Sequence, residues 1–309
     1  GESAAKPGGA PIMQALWMVL GAFLFASMGV CVKYASNNFN PAELVFYRGV
    51  LGMLFLWVLA RSTGVKLGTK YPGMHLWRST IGVTSLGAWF YAIAHLPLAT
   101  AMTLNYMSSI WIAAFLVGGA LMLGKAAPRQ GPLVLAILTS FAGVMLLLKP
   151  AIAQNQAFAA LVGLLSGFVS AFAYMQVMAM ARLGEPETRT VFYFAVGTML
   201  TGLLGMAVLG VSGWSWPQAL WLLPLGLFAS LGQLSMTKAY SIAAHHGGTL
   251  LVANLQYSGV VFAALYGVLL FGDNIPLSGW LGMALIVASA IAATVLRARA
   301  APNAPAEEH

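Results

Sequence analysis

Charged side chains are scarce in this sequence. They make up 7% of its 309 residues, against roughly 25% in a soluble domain, so the chain cannot present a solvated surface and belongs in a bilayer. Acids are the rarer sign, with seven Asp and Glu against 15 Lys and Arg. That leaves no carboxylate pair for acid and base work inside the apolar stretches. No phosphate-binding glycine loop, zinc-protease HExxH or nucleophile elbow occurs either. An enzymatic role is not expected, and any ATP hydrolysis would need a separate subunit. The single cysteine, Cys31, rules out an intramolecular disulfide, and no Cys/His cluster has zinc spacing. Neither a metal nor a cofactor is expected. The net charge is +8, yet no basic run or basic amphipathic helix is present to neutralise nucleic-acid phosphates.

What is abundant is apolar sequence: 60% of residues are hydrophobic and the mean hydropathy is +0.84. Spanning helices need about 20 mostly apolar residues. Ten stretches qualify: 13–34, 42–61, 75–94, 98–122, 130–149, 160–181, 189–210, 218–241, 247–271 and 277–297. Residues 1–12 and 298–309 read as flexible tails. Prolines at Pro41, Pro72, Pro97, Pro128, Pro150, Pro186, Pro217 and Pro276 fall at the predicted junctions, where a missing N–H costs a helix least. Alternating the spans places Lys6, Arg61, Lys66, Lys70, Arg78, Lys125, Arg129, Arg182, Arg189, Lys238, Arg297 and Arg299 on one side. Only Lys33, Arg48 and Lys149 fall on the other. Under the positive-inside rule both termini are cytoplasmic, and Cys31 lies near the outer end of helix 1.

The chain also repeats itself. Laid without gaps on residues 240–270, residues 91–121 match at Tyr91/Tyr240, Thr100/Thr249, Asn105/Asn254, Ser109/Ser258, Gly118/Gly267 and elsewhere. A shorter echo pairs FASMGV from Phe25 with FAYMQV from Phe172. The predicted fold is an all-α membrane protein with two five-helix repeats, 13–149 and 160–297. Five spans per copy is an odd number, so the second copy enters from the opposite side and the repeats are inverted. Transporters of this construction place a midplane site between the halves and expose it to each side in turn. A channel remains an alternative.

The runs PAELVFYRGVLGMLF (residues 41–55), WRSTIG (77–82), FYAIAHLPLATAMTLNY (90–106) and the second-half LLFGD ending at Asp273 resemble the drug/metabolite transporter superfamily in its ten-helix EamA-like branch. The likeness covers nearly the whole ordered chain. It implies an inner-membrane exporter of amino acids or metabolites with a central cavity lined by helices 1, 3, 4, 6, 8 and 9, and helices 5 and 10 packing the halves together. The sequence departs from the family in three places. It lacks the proline common near Ser109 and Ser258, which predicts less kinked helices 4 and 9. Gly124-Lys125 stands where Gly-Glu is usual after helix 4. Residues 13–34 contain no acid, which argues against proton-coupled export of cationic drugs.

Polar groups in hydrocarbon are costly, so those in the repeated segments are the functional candidates. Asn105 and Asn254 can donate and accept, as a zwitterion requires, or can glue helices together. Tyr91, Tyr106, Tyr174, Gln176, Tyr240 and Tyr257 lie on predicted cavity helices. Of these, Tyr91, Tyr106, Tyr174, Gln176 and Tyr257 join the two asparagines and Lys238 as expected substrate-binding residues. Lys238 either attracts a substrate carboxylate or snorkels to the headgroups. Arg48, two turns into helix 2, is expected to pair with Glu43 or cap carbonyls, with substrate contact as the alternative. His245 and His246 diverge on a helix, so no metal site is expected there. Gly163 and Gly167 form a GxxxG for close packing. The expected function is alternating-access export of amino acids or similar small metabolites across a bacterial inner membrane, without proton coupling. The partners are a small molecule and the lipid bilayer, and a monomer would suffice. The alternatives are an uptake carrier for a larger metabolite such as a nucleotide derivative, or a proton-coupled drug exporter.

Overall fold

The computed structural model describes residues 9–124, 130–246, 252 and 254–300, and among them there is no strand. The helices are α1 (Gly9–Ala35), α2 (Pro41–Thr63), α3 (Pro72–His95), α4 (Leu98–Asn105), α5 (Ser108–Met122), α6 (Gln130–Ala153), α7 (Ala157–Arg182), α8 (Glu187–Leu209), one-turn α9 (Trp216–Ala219), α10 (Leu222–His246), α11 (Ser258–Phe271) and α12 (Leu277–Ala300). Proline sets many of the starts. Pro41 and Pro72 open α2 and α3, where the N–H they lack has no intrahelical partner in any case. At α2 a capping box completes the start: Glu43 N donates to Asn40 Oδ1 at 3.0 Å and Asn40 N to Glu43 Oε1 at 2.9 Å. Pro150 departs from the expected pattern, since α6 runs through it to Ala153. A proline in the last turns removes a single hydrogen bond, and the chain beyond it still closes through Gln154 N to Pro150 O at 3.0 Å. Pro128 lies outside the described residues.

Among the described residues, eight helical stretches are long and apolar enough to cross a membrane: residues 12–35, 41–63, 98–122, 131–153, 157–182, 187–209, 216–240 and 277–296. This is a multi-pass membrane protein. The third predicted span corresponds to α3, whose 24 residues reach about 36 Å but carry His75, Arg78 and several hydroxyls. The ninth is represented among the described residues by α11, 14 residues long.

The fourth span is not the smooth helix expected from its missing proline. It breaks after Asn105, turns at Tyr106 and Met107, and resumes at Ser108. Two tightened hydrogen bonds mark the break, Met107 N to Leu104 O at 3.3 Å and Ile110 N to Met107 O at 2.9 Å. The cause is tertiary. At Gly167 of α7 a β-carbon would fall 2.4 Å from Leu104 O and 3.1 Å from Asn105 O, so α7 presses its backbone against the carbonyls at the break. Close packing was the expectation for this GxxxG. The second repeat breaks at the equivalent place: Asn254 and Leu255 are helical, Gln256 and Tyr257 turn, and α11 follows.

The bundle is built from the pairs α1–α10, α2–α8, α3–α7 and α6–α12, with α4 against α7 and α11, and α1 against α11. Exchanging the halves maps α1–α10 onto α3–α7 and leaves α2–α8 and α6–α12 unchanged. The two breaks meet in the centre, where Tyr106 and Tyr257 stand edge to face at 5.9 Å.

Candidate functional site

At the ends of the bundle the buried charges have partners. Glu43, 0% exposed, caps its own helix and accepts from Ser212 N at 3.1 Å and Ser212 Oγ at 2.6 Å. Its oxygens are spent on Asn40 and Ser212, so the expected Glu43–Arg48 pair does not form. Glu185, between α7 and α8, meets His75 Nε2 at 2.7 Å, Arg189 Nη1 at 2.9 Å and Thr69 Oγ1 at 3.1 Å. Burial raises this carboxyl, but those three hydrogen bonds and the Arg189 charge outweigh it and hold it below the usual carboxylate range. At the opposite end of α3, Lys33 Nζ donates to Leu96 O at 2.7 Å and Asp273 Oδ2 accepts from Leu98 N at 3.3 Å. These two charges edge an open recess of about 290 Å³ that also includes His95, Gln154, Gln156 and Asn274.

The middle of the bundle is different. Arg48 is 5% exposed, and its guanidinium carbon lies 5.3 Å from the centroid of Phe194 on α8. Arg78 starts less than two turns into α3, but its head runs forward along the helix. A β-carbon on Gly82 would fall 2.0 Å from Arg78 Nη1. That vacancy lets the guanidinium lie near the helix midpoint, 4.2 Å from the same Phe194 ring. Neither Arg48 Nε nor Arg78 Nε has a hydrogen-bond partner, and neither residue pairs with a carboxylate among the described residues. An arginine at the centre of a membrane helix costs roughly 2.5 to 3.5 kcal/mol on insertion scales. One aromatic face returns about 0.5 to 2 kcal/mol of that.

At the helix breaks the tyrosine rings Tyr106 and Tyr257 meet edge to face at 5.9 Å. Tyr257 donates to Ser109 Oγ at 2.8 Å. The Tyr106 hydroxyl, both amide atoms of Gln176 and the Asn254 carbonyl oxygen are buried without partners.

The structure thus brings Tyr106 and Tyr257 together at the breaks, with Asn254 just before the second one, while Tyr174 and Gln176 lie on α7. Asn105 is engaged elsewhere, its amide donating to Ser166 and Ser170 of α7 at 3.2 and 3.3 Å. Ser85 of α3 joins the same network through Ser166 O at 2.9 Å. Tyr91 stacks on His95 at 4.3 Å and meets Phe158 edge-on, about 20 Å along α3 from Arg78. Lys238 is exposed. The side chains of His245 and His246 lie outside the described residues, and no metal-binding group occurs among the described ones. Sequence reasoning missed Arg78 and Phe194. The available signal was a glycine four residues after an arginine inside a span.

Apolar spans, a break at the same point of each repeat and a polar centre define a membrane transporter rather than an enzyme. The chain belongs to the EamA-like transporter family, whose model matches residues 12–149. Over 277 residues it is 32% identical to the pseudopaline exporter CntI of Pseudomonas aeruginosa, covering 90% of this chain and 94% of that one. It is 28% identical over 288 residues to a riboflavin transporter of Rhizobium johnstonii, covering 91% and 90%. A riboflavin transporter of Vibrio cholerae is 27% identical, covering 90% and 92%. A solved crystal structure 19% identical to the chain superposes with a TM-score of 0.62 over 93% of this chain and 98% of that one, which shows a shared fold.

Proposed function

We propose that the protein is an alternating-access exporter of amino acids or similar small metabolites in a bacterial inner membrane. Its ten spans form two inverted five-helix repeats, with both termini cytoplasmic and the substrate passing between the halves. The observation that carries this reading is the pair of breaks after Asn105 and Leu255, which stand within one residue of matching repeat positions and meet where Tyr106 and Tyr257 touch. Helix pairings that exchange when the halves are swapped support it further. Interrupted helices at a repeat interface are where such carriers bind their cargo. Outward transport takes its support from the pseudopaline exporter among the relatives.

Proton coupling is not part of this reading. Of the acids in described segments, Glu43, Glu185, Glu187 and Asp273 all stand at helix ends or in loops, leaving no carboxylate to titrate at the centre. Proteoliposomes preloaded with unlabelled substrate and given no pH difference should accumulate labelled substrate transiently by counterflow. A flux that does not respond to substrate on the far side would mark a channel instead. A carrier of a larger metabolite is the second reading, favoured by the riboflavin transporters among the relatives.

A further inference from the structure

Resting on the transport reading, we propose that Arg48 and Arg78 form a clamp for an oxyanionic substrate, one whose carboxylate or phosphate groups supply the negative charge missing from the centre of the bundle. An arginine kept in a membrane helix for structural reasons meets a carboxylate, caps a carbonyl or reaches the headgroups. Arg48 does none of these. It is 5% exposed, it makes no hydrogen bond with any described residue, and the acid nearest in sequence, Glu43, is taken by Asn40 and Ser212. Glu185 and Asp273 are engaged as well, at the two ends of the bundle. Among the described residues no carboxylate pairs with either arginine.

The geometry is that of a site. The guanidiniums come from different helices, α2 and α3, and converge on one Phe194 ring at 5.3 and 4.2 Å. Like charges brought together without an acid repel each other, and a bound oxyanion turns that repulsion into attraction. Each guanidinium is a planar fork of donors that matches carboxylate or phosphate oxygens two at a time. The unpartnered Gln176 amide and Asn254 carbonyl offer neutral donors and acceptors to the rest of the molecule. Two cations call for a dianion, so a dicarboxylate or a phosphate monoester completes the site where a monoanion leaves one charge unmet. A neutral substrate would leave both buried cations unpaired.

The test uses the full-length purified protein in detergent at constant ionic strength, with succinate and citrate in one arm and inorganic phosphate and riboflavin 5′-phosphate in the other. Riboflavin serves as the neutral control. Ligands that bind the native state raise its melting temperature. We expect a saturable rise with at least one oxyanion arm, and the responding arm identifies the headgroup. Arg48→Gln and Arg78→Gln should each weaken the apparent affinity at least tenfold. Arg48→Lys, which keeps the charge and loses the fork, should fall between, and it carries the test if the Gln variants fail to fold. Absence of a rise with every oxyanion, or a rise undiminished in the variants, overturns the clamp. The two readings fail separately. Counterflow of riboflavin insensitive to oxyanions would remove the clamp and keep the transporter, whereas arginine-dependent oxyanion binding without counterflow would do the reverse.

Discussion

At the ends of the bundle, Glu43 is met by Asn40 and Ser212, and Glu185 by His75, Arg189 and Thr69. In the middle, Arg48 and Arg78 share only the face of Phe194. Both kinds of group are largely shielded from solvent. The end clusters tie loops to helix starts, and their internal satisfaction is what structural charge requires. The central pair is left incomplete by the protein, and incompleteness that persists in a folded chain has to be made good by something that arrives and leaves. The contrast separates charge that holds the fold from charge that handles cargo, and each side of it can be broken independently.

The largest effect is expected at Gly82. Gly82→Ala places a methyl where Arg78 Nη1 now lies and 2.9 Å from Cε1 of Phe194, so the flexible head and the ring it faces must both shift while the helix stays. Misplacing a charge-assisted contact costs about 1.5 to 3 kcal/mol, so counterflow should fall roughly ten- to a hundredfold while the melting temperature changes little. A collapse of stability with normal transport in the folded fraction would reverse the roles assigned here. The repeated asparagines sharpen the comparison next. Asn105→Ala removes the two hydrogen bonds its amide donates to Ser166 and Ser170 and should destabilise by about 1 to 3 kcal/mol with binding intact. Asn254→Ala, which loses no hydrogen bond through its carbonyl oxygen, should leave the melting temperature near the wild-type value and weaken substrate binding. The smallest effect belongs to Glu185. Its carboxyl sits below the ordinary range when folded, so it contributes stability that is present above the unfolded value of about 4.3 and is lost as pH falls through the lower folded value. The melting temperature should drop as the pH falls from about 5 to below 4, and the drop should be shallower in Glu185→Gln. Equal slopes would show that the cluster does not hold that end of the bundle.

Much of the scaffold was legible because membrane helices advertise themselves through apolar runs and prolines. Pro41, Pro72 and Pro186 mark starts within a residue or two of the observed ones. Residues with local roles were also within reach, as the capping box at Asn40 and Glu43 illustrates. What escaped depends on side-chain direction and on distant backbone. Arg78 was counted as a charge at a helix mouth, since its position along the chain does not say that its head lies forward over Gly82. Arg48 was assigned to Glu43, yet residues five apart on a helix point about 140° away from each other. The break after Asn105 was expected to be mild without a proline, but the glycine that accommodates it, Gly167, belongs to another helix.

The two interrupted helices are fastened to each other at two levels. Tyr257 holds Ser109 at the start of α11, and Asp273, just past its end, holds Leu98 at the start of α4. The fastenings lie about 20 Å apart. A rod pinned to its neighbour at two separated points cannot swing about either one, so a tilt of α4 and α5 is handed to α11 as a whole. On the alternating-access reading proposed above, the opening of one face of the molecule and the closing of the other would be a single stroke, with one relaxation time rather than two.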